Sequence, residues 1–297
     1  MIAAADATAR RWTAPASGSI RPGSEAHKIA FCRMLLDTHN PYKPAIIDWP
    51  RLDSDARDRL VALPIWDIAV QTEGKASLRV LTYAARTADP LLREAVALNG
   101  FEEGRHKQVL ANLVEAYAIR LEPEPEYRPP QNPEWAFMVT GFSECIDSFF
   151  AFGLFALAKN SRFFPSELVD SFEPIMQEEA RHILFFVNWV AWHRRNLAWW
   201  RRPWFWCTVA AVWVFLVWER IGLARGASRD QSPQDNNFTL TGSKAVADID
   251  LAPAALLDLC LAENQRRLAG YDPRLLRPQV MPRLVRFLRR FLRAPQS

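Results

Sequence analysis

One pentamer occurs twice in this 297-residue chain, as Glu102-Glu103-Gly104-Arg105-His106 and as Glu178-Glu179-Ala180-Arg181-His182. Both read Glu-Glu-x-Arg-His. On a helix, residues three apart share a face, so Glu103 points with His106 and Glu179 with His182. A carboxylate and an imidazole one turn apart can grip a transition metal. Two such pairs facing each other can hold two metals, with carboxylates bridging. Two more acids sit in apolar or small surroundings: Glu73 in Ile68-Ala-Val-Gln-Thr-Glu-Gly and Glu144 in Val139-Thr-Gly-Phe-Ser-Glu-Cys-Ile. Each residue alone has a bland explanation. A single Glu-x-x-His is usually a surface ion pair, and Glu102, four residues from His106, could face it in place of Glu103. Taken together they point to metal, because burying four carboxylates in an apolar bundle is prohibitive without cations.

Those six residues need helices to hold them. Helical periodicity dominates from about residue 65, with a short leading helix over 53–62. Four long helices are expected over about 65–87, 90–119, 133–160 and 165–197, and no strand pattern competes. The run Leu121-Glu-Pro-Glu-Pro-Glu-Tyr-Arg-Pro-Pro130 cannot be helical and should be extended. Register supports the ligand choice. Glu73 lies 16 residues before the turn at Asp89 and Glu103 lies 14 after it; Glu144 lies 18 before a turn near Arg162 and Glu179 lies 17 after it. Each hairpin thus brings its two acids to nearly the same height. The Pro-rich connector reaches on the order of 40 Å, enough to return the chain to the end of the bundle where the first of these helices began.

The pattern Glu73, Glu103-x-x-His106, Glu144, Glu179-x-x-His182 resembles that of the ferritin-like di-iron carboxylate superfamily, over about residues 65–197. The resemblance implies an all-α fold: a ferritin-like four-helix bundle with one long crossover connection, here with additional C-terminal helices. It also implies two iron ions, or a manganese/iron pair. Glu103 and Glu179 would bridge; Glu73 with His106 would complete one metal, and Glu144 with His182 the other. The Glu-Glu-x-Arg-His form is similar to that of bacterial multicomponent monooxygenases. By that likeness Glu178 would orient His106, Glu102 would orient His182, and Arg105 and Arg181 would pair with those acids. Rubrerythrin's rubredoxin cysteines are absent. Ile175 stands where the p-aminobenzoate N-oxygenase branch would carry its extra histidine. What remains resembles a stand-alone oxidase or oxygenase.

Composition narrows the setting. Half the residues are apolar and a quarter charged, with only 11 Gly, which suits a helical globular chain. The four cysteines (Cys32, Cys145, Cys207 and Cys260) form no CxxC pair, so free thiols in a cytoplasmic setting are expected. The net charge is +4, but seven Arg and no acid follow Asp272. The body is therefore mildly acidic, and nucleic acid is not an expected partner. Residues 1–24 read as a disordered leader without a signal peptide. Residues 25–225 hold the bundle and an aromatic-rich helix, 226–244 a polar loop, and 245–297 two closing helices with a basic amphipathic tail.

The aromatic stretch Pro203–Trp218 is 16 residues, short of the about 20 that span a bilayer. A helix covering the bundle, or a homodimer interface, is the first reading; peripheral membrane contact comes second and a span last. The tail places Leu284, Val285, Phe287, Leu288, Phe291 and Leu292 on one side and Arg283, Arg286, Arg289, Arg290 and Arg293 on the other. Docking on the bundle is preferred over a membrane there too.

Small residues beside the ligands (Gly74, Ala76, Ser77, Gly104, Gly141, Ser148, Ala180) could allow close helix packing or leave room for O2 and a substrate; the second reading is preferred. The expected function is O2-dependent oxidation of a small, apolar organic substrate, with electrons from an external ferredoxin or flavoprotein. The rival readings are a ferroxidase, in which iron is the substrate, and a scaffold that keeps metal only for folding. Asp147, Tyr83, Tyr117 and Cys145 are secondary candidates, each with an ordinary structural role as alternative; His193, on nearly the same face as His182 but three turns on, is expected to be too distant to ligate.

Overall fold

A computed structural model describes residues 2–15, 17–224 and 253–292. Among them the chain is all-helical; the only strand-like feature is a single bridge between Trp12 and Tyr271. Four long helices meet around the predicted ligands: α4 (Trp66–Arg86), α5 (Pro90–Ala116), α6 (Pro133–Asn160) and α8 (Glu173–Asn196). Their starts follow from local chemistry. Asp89 accepts from the Leu92 N–H at 2.9 Å with Pro90 behind it, and Asn132 accepts from the Trp135 N–H with Pro133 behind it. Each cap satisfies an orphan donor, and each proline sits where its missing N–H costs nothing.

The expected fourth helix, 165–197, is broken. A short α7 (Ser166–Asp170) precedes α8, which begins at Glu173 with Pro174 in its first turn. A proline in mid-helix would clash with the preceding turn, so the chain restarts there.

Helix α6 is buried almost all round, from Ala136 to Gly153. By length and hydropathy it could cross a membrane, but it is the core helix of this fold, enclosed by α4, α8, α9 (Arg202–Ala224) and α10 (Pro253–Leu268). Its glycines permit that crowding. A Cβ on Gly141 would lie 2.2 Å from the Phe186 ring, and one on Gly153 would meet the Cys260 backbone at 3.0 Å. Gly141→Ala is therefore expected to cost about 1–3 kcal/mol by overpacking, read as a lower urea midpoint at unchanged slope.

Two elements correct the sequence reading. The leader is not disordered: α1 (Ile2–Ala9) packs on α8, and Arg10 pairs with Glu173 at 2.8 Å. Trp12 N–H donates to Gly270 and Ala14 N–H to Asp272, which tie residues 10–14 to the loop after α10. An unforeseen α2 (Glu25–Asp37) lies across α5 and α8, burying His27, Ala30, Phe31, Met34 and Leu35. The other expected pieces fall close to place: α3 (Ser54–Val61) leads in, residues 117–132 are non-helical, and α10 and α11 (Val280–Arg289) close the chain. The expected loop 226–244 lies outside the described residues.

The tail divides its apolar side. Met281 and Val285 are buried, whereas Leu284, Phe287, Leu288 and Phe291 are exposed. Part of its basic charge is spent internally, since Arg274 bonds Asp272, Arg277 caps the Tyr271 carbonyl and Arg289 pairs with Asp258.

Candidate metal centre

All six predicted ligands converge. Glu73, Glu103, His106 and Glu179 offer atoms within 4.8 Å of one another, and so do Glu103, Glu144 and His182. Glu103 belongs to both groups, as a bridge between two ions would; Glu179 joins the first group only, its Oε2 accepting from Ser148 at 2.8 Å. His106 Nδ1 lies 3.3 Å from Glu179, 3.6 Å from Glu73 and 3.8 Å from Glu103. His182 Nδ1 lies 2.8 Å from Glu103, though at an angle that makes no hydrogen bond.

The outward nitrogens are held by a reciprocal brace. His106 Nε2 is 2.8 Å from Glu178, and His182 Nε2 is 2.8 Å from Glu102. Arg105 donates to Glu178 at 2.5 Å and Arg181 to Glu102 at 2.6 Å. Each pentamer's first glutamate thus grips the histidine and arginine of the other pentamer. With Nε2–H committed to a carboxylate, Nδ1 turns its lone pair inward, the tautomer a metal requires.

Sequence reasoning missed the outer layer of this brace. The loop after α2 places His39 Nδ1 at 2.7 Å from Glu102 and Tyr42 Oη at 3.5 Å from Glu178. Arg105 donates to the Asn40 and Tyr42 carbonyls and lies 4.1 Å from the centre of the Tyr42 ring. No periodicity marks residues 38–43, so no sequence signal could have found them.

Electrostatics follow the geometry. Burial alone would raise Glu102, but Arg181, His182 and His39 hold it well below the usual carboxylate range. Burial, with Glu179 and Glu73 close by, pushes Glu103 well up; burial, with Glu103 and Glu179, does the same to Glu144. Burial disfavours the charged His106, but its hydrogen bond to Glu178 and the nearby carboxylates of Glu179, Glu73 and Glu103 raise it well above an ordinary imidazole. Protons on these groups relieve an acid cluster that lacks counter-charge, and divalent cations relieve it more strongly.

The residues fit such ions. Glu103 Oε1, His106 Nδ1, Glu144 Oε1 and His182 Nδ1 are all buried without a hydrogen-bond partner. Orphaned buried polar atoms are rare and costly. Four of them, converging from three helices, make a mixed nitrogen and oxygen donor set suited to transition metals.

The secondary candidates separate. Asp147 pairs with Arg220 at 2.6 Å and accepts from Ser143; burial pushes it up to about 7 despite the arginine. His193 is away from the cluster, 3.4 Å from Glu134 and stacked on Trp189. Tyr83 stacks on Phe137, and Tyr117 donates to the Pro50 carbonyl. Cys145 is buried but outside both ligand groups.

A cavity of about 180 Å³ adjoins the cluster. Glu73, Glu103, His106, Glu144 and Glu179 form part of its wall, and Leu63, Trp66, Leu110, Phe155, Phe172 and Met176 are among the apolar remainder. Comparison with family models, with curated proteins and with solved structures finds no match, so what this centre does must be read from its own residues.

Proposed function

We propose that the chain is a ferritin-like di-iron protein that uses O2 to oxidise a small apolar organic molecule. The observation that carries this reading is a set of four orphaned ligand atoms, three of them on residues (Glu103, His106 and Glu144) that line a largely apolar cavity. When bound, two ferrous ions supply the electrons that reduce O2, and an external ferredoxin or flavoprotein replaces them. The chain's own residues do the rest. Glu178 and Glu102 hold the Nε2 protons of His106 and His182, fixing both rings. Ser148 fixes one oxygen of Glu179 and leaves the other toward His106. The aromatic and aliphatic walls exclude water and offer a substrate dispersion contacts without competing ligands. A ferroxidase would need a polar route for hydrated iron, and this lining opposes one.

The test is anaerobic loading with Fe(II), metal counting, and absorbance after O2 exposure. About two iron ions per chain and an O2-dependent near-ultraviolet band are expected. A folded chain that takes up no transition metal would sink the proposal. Bound metal without any O2 response would reduce the protein to a scaffold.

A further inference from the structure

Helix α9 has two faces of opposite fate. Phe205, Val209, Val212, Leu216 and Glu219 are buried, packed toward α6 and α8. Trp204, Trp206, Cys207, Ala210, Ala211, Val214, Val217, Trp218 and Ile221 are exposed. At about 100° per residue these fall on opposite sides, the exposed set spanning about 160°. No charged residue lies on that exposed side between Trp204 and Ile221. Trp204 is 75 % exposed, Val214 69 % and Trp218 62 %. Trp199 and Trp200, also exposed, precede the helix, with Arg201 and Arg202 exposed beside them. Soluble surfaces scatter single apolar residues; a continuous uncharged stripe along a 23-residue helix marks a contact.

We infer that this face of α9 lies in the interfacial layer of an anionic lipid membrane, parallel to its plane. Three features select lipid as the occupant. The tryptophans stand at the ends and edges of the stripe, with Ala and Val between them, the distribution of an interfacial aromatic belt. The exposed charge at the aromatic end is basic, complementary to anionic headgroups. Along the stripe, Ala210, Ala211, Val214 and Val217 offer no side-chain hydrogen bond, whereas protein interfaces carry a polar rim. The segment Trp199–Ile221 is long and apolar enough to cross a membrane. It is nonetheless held against the bundle, where Arg220 pairs with Asp147 and Phe205 packs against His193. Crossing would require that packing to be given up, so the helix rests on the membrane with its outer face immersed by about 5–10 Å. This inference is independent of the metal centre and takes up the second reading of the segment, peripheral membrane contact, beside its role in covering the bundle.

The test uses the full-length protein with sucrose-loaded vesicles of phosphatidylcholine, with and without phosphatidylglycerol, at about 0.15 M salt. Pelleting with the anionic vesicles, blue-shifted tryptophan emission and quenching by brominated lipid are expected. Val214→Asp, at a position open to solvent, should leave the circular dichroism and melting temperature unchanged but lower vesicle partition by on the order of tenfold or more. Arg201→Gln with Arg202→Gln should weaken binding to anionic vesicles and reduce its salt dependence. The inference is overturned if folded wild type stays in the supernatant with both vesicle types. It is equally overturned if Val214→Asp binds like wild type, or if sedimentation shows a dimer that Val214→Asp dissociates while neither form binds lipid.

Discussion

His182→Ala and His106→Ala are each expected to lose at least half of the bound metal. Each removes one of only two nitrogen donors in the centre, and His182 is the sole nitrogen in its group. The loss has a second signature in stability. Metal that binds only the folded chain stabilises it by about 2.7 kcal/mol at a hundredfold excess over Kd. Wild type should show that upward shift in melting temperature with Fe(II) or Co(II), and the variants less than about half of it. Protons compete for the same atoms, because Glu103, Glu144 and His106 all hold their protons more tightly than usual. The two carboxyls, and the imidazole at Nδ1, must be free of a proton to ligate, so apparent metal affinity should rise with pH above the ordinary carboxylate range and binding should release protons. Calorimetry in two buffers of different ionisation heat measures that release. A variant that retains full metal content and the full thermal shift would remove that histidine from the ligand set.

Glu102→Ala should be among the most damaging substitutions away from the ligands themselves, at about 3–5 kcal/mol. Glu102 is fully buried and holds Arg181, His182 and His39 at once. Removing it leaves the buried Arg181 with only the Leu35 carbonyl at 3.1 Å and Thr38 at 3.5 Å. Glu178→Ala is structurally the mirror change but should cost less. Arg105 keeps two backbone carbonyls, at 2.7 and 3.1 Å, and the face of Tyr42. Both variants should also weaken metal binding by on the order of 10–100-fold, because the imidazole loses the partner that sets its tautomer. Arg181→Met in the Glu102→Ala background should recover part of the stability, since the unpaired charge is then gone. Urea unfolding of the metal-free proteins ranks the four forms. Equal, small losses for Glu102→Ala and Glu178→Ala would show that the brace adds little.

The centre was legible because its signal is repeated and periodic. Two copies of one pentamer, and two acids at matched distances from two turns, leave few ways to arrange four helices. The structure brings Glu73, Glu103, His106, Glu144, Glu179 and His182 together as that arithmetic requires. The helix limits also follow from residues that act locally: Asp89-Pro90, Asn132-Pro133 and Pro174. Where the reading failed, the deciding contacts were remote. The leader, rich in Ala, Ser and Arg, looked unable to fold, yet Arg10 finds Glu173 and Ala14 finds Asp272 across the chain. His39 and Tyr42 have no pattern of their own and gain their place only because α2 delivers them to the rear of the brace.

The sequence by itself determined which residues can ligate, that helices carry them, and which acids lie at the same height. These are properties of spacing along one chain, and helical geometry converts spacing into position. Spacing alone left Glu102 and Glu103 as rivals, and the resemblance suggested a pairing; the tertiary structure places Glu102 and Glu103, one residue apart, on opposite sides of the imidazole pair. It also decided which side of α9 meets protein. An apolar helix reads alike on all its faces, and only the packing of its neighbours leaves one of them to the solvent.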